Sequence, residues 1–77
     1  MTAITPISAK RMTAVLRRLG FELLRQRGSH AYYKHPDGRR AVVPMHAGED
    51  LGKGIVREIL RSIGISSEEF ARLRKRL

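Results

Sequence analysis

Three histidines, His30, His35 and His46, carry the side chains best suited to moving protons near neutrality in this 77-residue sequence. Other chemistries thin out quickly. The chain has no cysteine, which removes nucleophilic thiols, disulfides and Cys-ligated zinc and fits a reducing compartment. Its seven acids offer no convincing carboxylate pair for glycoside or two-metal work. The run Gly48-Glu-Asp-Leu-Gly52-Lys-Gly54 superficially resembles a phosphate-binding loop. It lacks the spacing and the Ser/Thr after Gly-Lys, so a flexible connection is the simpler account. His30 and His35 stand five apart in one short run, and a two-residue strand period sends them to opposite faces, where they cannot share an ion without a bulge. The expectation is therefore no metal and no cofactor.

His30 is the histidine placed to react. It follows Gly28-Ser29 and opens His30-Ala-Tyr-Tyr-Lys-His35, where alternation groups His30, Tyr32 and Lys34 on one face and Ala31, Tyr33 and His35 on the other. With the less polar Ala31/Tyr33 face under helices, His30 projects from an open face beside an aromatic ring and Lys34. Arg25, Arg27, Arg39 and Arg40 follow on neighbouring strands and loops. RNA backbone cleavage needs little more: a base removes the 2′-OH proton, that oxygen attacks phosphorus, and cations stabilise the developing charge. Acid–base catalysis alone supplies roughly 10²–10⁴-fold. The competing account is a surface histidine on a strand that only binds RNA, and spacing alone favours it.

The remaining candidates divide similarly. His35, just before a turn, is expected to cap or pack the hairpin end. His46, after Pro44, either contacts substrate or solvates a loop, the loop being the simpler reading. Tyr32 has a ring for stacking on a base, worth about 1–3 kcal/mol. Lys10, Arg11, Arg17 and Arg18 form a solvated helix face by default, and the net charge of the chain brings phosphate contacts within reach. Arg72, Arg74, Lys75 and Arg76 solvate a last helix or meet an acidic partner.

These residues need elements to position them. Ser8–Leu19 carries Ala9, Met12, Val15, Leu16 and Leu19 at helical spacing, with Ser8 as N-cap and Gly20 closing the helix. Residues 21–26, 30–35 and 39–44 read as strands; Pro36-Asp37-Gly38 turns between the last two, and the short connections make the pairing antiparallel. Met45–Lys53 reads as a loop. Gly54–Ile63 restores helical period through Val56, Ile59, Leu60 and Ile63, closed by Gly64. Ser66-Ser-Glu-Glu69 is a capping box leading into a helix with Phe70, Leu73 and Leu77 inward. The order is an α+β, double-stranded-RNA-binding-domain-like fold: α-β-β-β-α with an extra C-terminal helix and a three-stranded antiparallel sheet, in one domain over residues 1–77.

Charge points to the partner. Sixteen Lys/Arg against seven Asp/Glu give +9, which favours a polyanion, above all nucleic acid, or an acidic protein. Nine of those cations face only Glu22 and Asp37 in residues 1–47, and seven face five acids in residues 48–77. The first two thirds should therefore build the binding surface. Met1–Ser8 shows no export signal, and no stretch approaches the roughly 20 apolar residues of a membrane span. A cytoplasmic protein with no membrane partner is expected.

Gly28-Ser29-His30, His35-Pro36-Asp37-Gly38-Arg39, Val43-Pro44-Met45-His46, Leu51-Gly-Lys-Gly54 and Gly64-Ile65-Ser66 together resemble the HicA-type toxins of bacterial toxin–antitoxin systems, from the first helix to Phe70. The resemblance implies an mRNA interferase with a double-stranded-RNA-binding-like fold, mRNA as substrate, and neutralisation by a HicB-type antitoxin that covers the active face. It places the catalytic histidine at His30 and implies metal-independent cleavage, reversing the weighting that spacing alone suggests. Gly28 and Ser29 are then expected to shape the approach to His30, with Lys34, Arg39, Tyr32 and Lys10 binding substrate. Ile55 departs from the family pattern, which usually has Thr there.

Overall fold

The computed structural model describes residues 6–46 and 48–76. In chain order the elements are β1 (Ile7–Ser8), α1 (Ala9–Arg18), β2 (Glu22–Arg27), β3 (His30–Lys34), β4 (Arg40–Pro44), β5 (Asp50–Leu51), α2 (Lys53–Ile63) and α3 (Ser67–Lys75). Strands β2, β3 and β4 form an antiparallel sheet in that spatial order. The helices pack on one face, giving the two-layer α+β arrangement that the pattern of elements predicts.

Each helix is bounded by local chemistry. Ser8 caps α1, its Oγ accepting the Arg11 N–H at 3.2 Å, and Ser66 caps α3 by accepting the Glu69 N–H at 3.1 Å; such caps contribute about 1 kcal/mol each. Gly64, at φ +74°, ends α2 in a left-handed conformation that a Cβ would disfavour. Met12, Val15 and Leu16 of α1 and Val56, Ile59, Leu60 and Ile63 of α2 meet Ala31, Tyr33, Ala41 and Val43 of the sheet, all buried. Burial of each Val, Leu or Ile stabilises the fold by about 1.5–3 kcal/mol. Phe70 is buried and Leu73 half-buried, which seats α3; Leu77 lies outside the described residues, as do Met1–Thr5 of the leader reading.

One stretch differs from the sequence expectation. Residues 45–53 read as loop, yet Asp50–Leu51 pairs with Ile7–Ser8 as a two-residue antiparallel ladder. Ile7 and Leu51 are buried together in the core, and two residues are too few to display a period. This ladder leads the chain after β4 past the start of α1. No helix among the described residues is long and apolar enough to cross a membrane.

The layer of helices covers β3 and β4 but not β2. Alternate residues of β3 and β4 are buried, whereas every residue of β2 is exposed, including Leu23 at 46% and Leu24 at 53%. The opposite face of the whole sheet is open.

Candidate active site

The site is built by a hairpin whose turn is as short as a hairpin allows. β2 ends at Arg27 and β3 begins at His30, leaving Gly28-Ser29 as a two-residue loop. Such loops need a positive φ, and Gly28 supplies it at +57°. The Ser29 carbonyl is engaged from the other side, accepting the Met45 N–H. Gly28 and Ser29 thus set the register that places His30 directly opposite Arg27 on one side and Pro44 on the other. His30 is exposed on the face that the helices leave open.

A bulge then decides which cations share that face. The pairing slips between Leu23, opposite Tyr33, and Arg25, opposite Tyr32, with Leu24 as the extra residue. Without the slip, regular pairing from Leu23 would put Leu24 against Tyr32 and Arg25 against buried Ala31. With it, Arg25 and Arg27 fall in phase with Tyr32 and His30. This is the re-aiming that bulges commonly perform beside functional sites. The Arg25 guanidinium lies over the Tyr32 ring, 5.0 Å from its centroid.

The open face therefore reads as three rungs. The first holds Arg27, His30 and Pro44; the second Arg25, Tyr32 and Val42; the third Glu22, Lys34 and Arg40. Directly opposed side chains have Cβ atoms about 4.5–5.5 Å apart, so Arg27 is the cation within reach of a phosphate that touches His30. Lys34 shares the face but lies four residues away, about 13 Å along the strand, beyond reach of a phosphate that touches His30. Lys10 is at the start of α1, where it lines a cleft of about 390 Å³ with Ser8, Ala9, Met45, His46, Gly48 and Glu49.

Arg39 is placed elsewhere. Its Nε donates to Asp37 Oδ2 at 2.8 Å, its NH1 donates to the Ile63 carbonyl at 2.5 Å, and its guanidinium lies 5.2 Å from the Phe21 ring centroid. A guanidinium held by three groups at the opposite end of the sheet from His30 ties the β3–β4 turn to the end of α2. The same turn occupies His35, whose Nδ1 accepts the Asp37 N–H at 3.1 Å and whose ring meets Phe21 edge-on at 5.1 Å. His35 packs the hairpin end, as its place in the sequence suggested. Asp37 is held below the ordinary carboxylate value of 3.8, first by the Arg39 backbone N–H, against the opposing effect of desolvation, with lesser lowering by the Arg39 side chain and His35.

Arg25, Arg27 and Arg40 thus join Lys34 as the open-face cations, and sequence reading placed the three arginines only in the surroundings of His30. The bulge that phases Arg25 and Arg27 leaves no mark in the sequence. Arg40, by contrast, was legible from strand alternation alone.

Chemically, the arrangement offers one accessible imidazole flanked by a cation, and an aromatic–guanidinium stack one rung away. Among the described residues, no three His, Cys, Asp or Glu side chains gather as metal ligands. No curated protein matches the chain. The family model of the HicA toxin of bacterial toxin–antitoxin systems matches residues 9–65, which includes α1, the whole sheet and α2. The match takes in the hairpin that carries His30 and most of the chain around it: the protein belongs to the HicA toxin family, and its partner class is therefore an antitoxin.

Proposed function

We propose that this toxin is an endoribonuclease that cleaves mRNA without a metal ion, with His30 as the residue that takes the 2′-OH proton. The observation that carries the reading is the exposure of His30 on the uncovered sheet face, in register with Arg27. An imidazole there can act as base while the guanidinium favours the charge that grows on the phosphate oxygens.

The second and third rungs suit the flanking RNA. Tyr32 and the Arg25 plane above it are surfaces on which an unpaired base stacks, and Lys34 and Arg40 fit the next phosphates. Lys10, near the His30 end, extends the cationic path towards α1. Gly28 and Ser29 act through the backbone, fixing where His30 stands. We take the antitoxin to be of HicB type and to cover this same face. Exposed Leu24 and Val42 beside the arginines offer an acidic partner both apolar and charged contacts, and co-purification with the neighbouring gene product tests the pairing.

The test of the catalytic reading is a digest of single-stranded RNA by wild type and His30→Ala, with and without EDTA. Cleavage that persists in EDTA and disappears in His30→Ala is expected. A variant that still cuts, or activity abolished by EDTA, overturns the mechanism. Equal salt-sensitive binding by both proteins with intact RNA identifies a binding module instead.

A further inference from the structure

Cutting a ribose–phosphate chain at the 2′-oxygen moves two protons. One leaves the attacking hydroxyl, and another must reach the departing 5′-oxygen, which is a poor leaving group as an alkoxide. A single imidazole at His30 accounts for the first transfer. The second needs an acid on the far side of phosphorus, since attacking and leaving oxygens lie in line.

The groups adjoining His30 are poor candidates. Arg27 carries a guanidinium, a group that is a poor proton donor in a protein. Pro44, opposite on β4, has no proton to give. Tyr32 is a phenol with its ring under Arg25, and Lys34 is two rungs away. The chain beyond Pro44 supplies the exception. Val43 is buried, Pro44 is half-buried on the open face, Met45 packs against the core and His46 is exposed. The inward–outward alternation of β4 therefore continues for two residues past its last paired position. The Met45 N–H, donated to the Ser29 carbonyl, extends the pairing by a rung. Extended by two residues beyond Pro44, the same register puts His46 on the side of the sheet that carries His30, diagonal to it on the adjoining strand. Diagonal positions lie about 7–8 Å apart, a separation that lets two imidazoles each hydrogen-bond to one of two oxygens arranged across a phosphorus atom. His46 also lines the cleft with Lys10 and Glu49, the charged groups that the start of α1 and the β4–β5 loop bring to it.

We propose that His46 is the general acid of the cut, a role that rests on the ribonuclease reading and completes it. A neutral His30 takes the 2′-OH proton as the 2′-oxygen bonds to phosphorus. The bond from phosphorus to the 5′-oxygen breaks with its electron pair on oxygen, and protonated His46 gives its proton to that atom. The products are a 2′,3′-cyclic phosphate and a 5′-hydroxyl. His30 ends charged and His46 neutral, and exchange with water resets both.

A substrate with a better leaving group isolates this role. The probe is an oligoribonucleotide carrying sulfur in place of the bridging 5′-oxygen at the linkage that wild type cleaves, because a thiolate departs without a proton. On the all-oxygen oligonucleotide, His46→Gln is expected to lose about 100-fold or more in kcat. On the sulfur-bridged one it should cleave within about threefold of wild type. A His46→Gln protein that cleaves the oxygen linkage within about threefold of wild type overturns the proposal, as does equal impairment on both substrates, which marks a binding or structural role. His30→Gln should be inactive on both. Cleavage by His30→Gln refutes the ribonuclease reading itself and is thereby distinguishable from a failure of the His46 assignment.

Discussion

Arg27 and Arg40 make a matched pair of perturbations, because both are exposed arginines on the same sheet face at different distances from His30. Arg27 is directly opposite His30, whereas Arg40 is opposite Lys34, four residues along the strand. Taking a guanidinium at about 6 Å from the charge developing on phosphate, Coulomb's law gives about 2.8 kcal/mol at an effective dielectric of 20 and about 0.7 kcal/mol at 80. The open face is solvated, so the lower half of that range applies, and Arg27→Ala should reduce kcat/KM by about 3- to 20-fold. From Arg40 the charge is about 13 Å distant, beyond the Debye length of about 10 Å at 0.1 M salt. Its removal should cost less than about twofold in kcat at that ionic strength and act mainly on binding. The assay is the initial rate of oligoribonucleotide cleavage under single-turnover conditions, measured from low to moderate salt. Equal losses in the two variants, converging as salt rises, would refute the register argument. They would mean that the face acts only as a diffuse positive field.

The hairpin turn offers a second check. Gly28→Val places a β-branched side chain at φ +57°, so it should cost about 1–2 kcal/mol in denaturant unfolding and lower cleavage by disturbing the His30 register. Gly28→Asn, which tolerates that conformation, should be close to neutral in both measurements. Arg39→Ala should lose about 1–3 kcal/mol of stability through its bonds to Asp37 and the Ile63 carbonyl, while folded protein cleaves RNA at the wild-type rate. Asp37 predicts an acid limb: its carboxyl is held below 3.8 in the folded chain, so its contribution is fully present above that value and is lost as pH falls through the lower folded one. The midpoint of thermal unfolding should therefore fall less steeply between about pH 5 and 2 in Asp37→Asn than in wild type.

The elements that present whole turns or whole alternations were legible in the sequence. Met12, Val15 and Leu16 announce the buried side of α1, and Ala31 and Tyr33 mark the inward face of β3; these assignments alone expose His30. Three features were not legible, each for a physical reason. The β1–β5 ladder is two residues long, shorter than any period. The slip at Leu24 depends on how β2 meets β3, and the sequence Glu22-Leu-Leu-Arg-Gln-Arg27 is compatible with either register. Arg39 looked like a phosphate ligand because residue type does not reveal prior commitments. Only the approach of the Ile63 carbonyl and the Phe21 ring shows the guanidinium to be taken.

The two faces of the sheet separate the core from the candidate site. A chain of this length has one small core, and here it lies between the helices and the inward residues of β3 and β4, joined by Ile7, Phe21 and Leu51. β2 contributes almost nothing to it, since all six of its residues are exposed. The strand is held by backbone pairing to β3 and by its hairpin turn, and its side chains are free to be chosen for another purpose. That freedom explains why arginines can occupy Arg25 and Arg27 next to an exposed histidine without weakening the fold. It also explains the bulge. In a strand packed on both sides, an extra residue would drive an apolar side chain out of the core; in β2 it only exposes Leu24, and it brings two cations onto the face of His30. Substitutions on the helix side should thus register in unfolding, and those on the open face in binding and cleavage, with Arg39 belonging to the first class despite its charge.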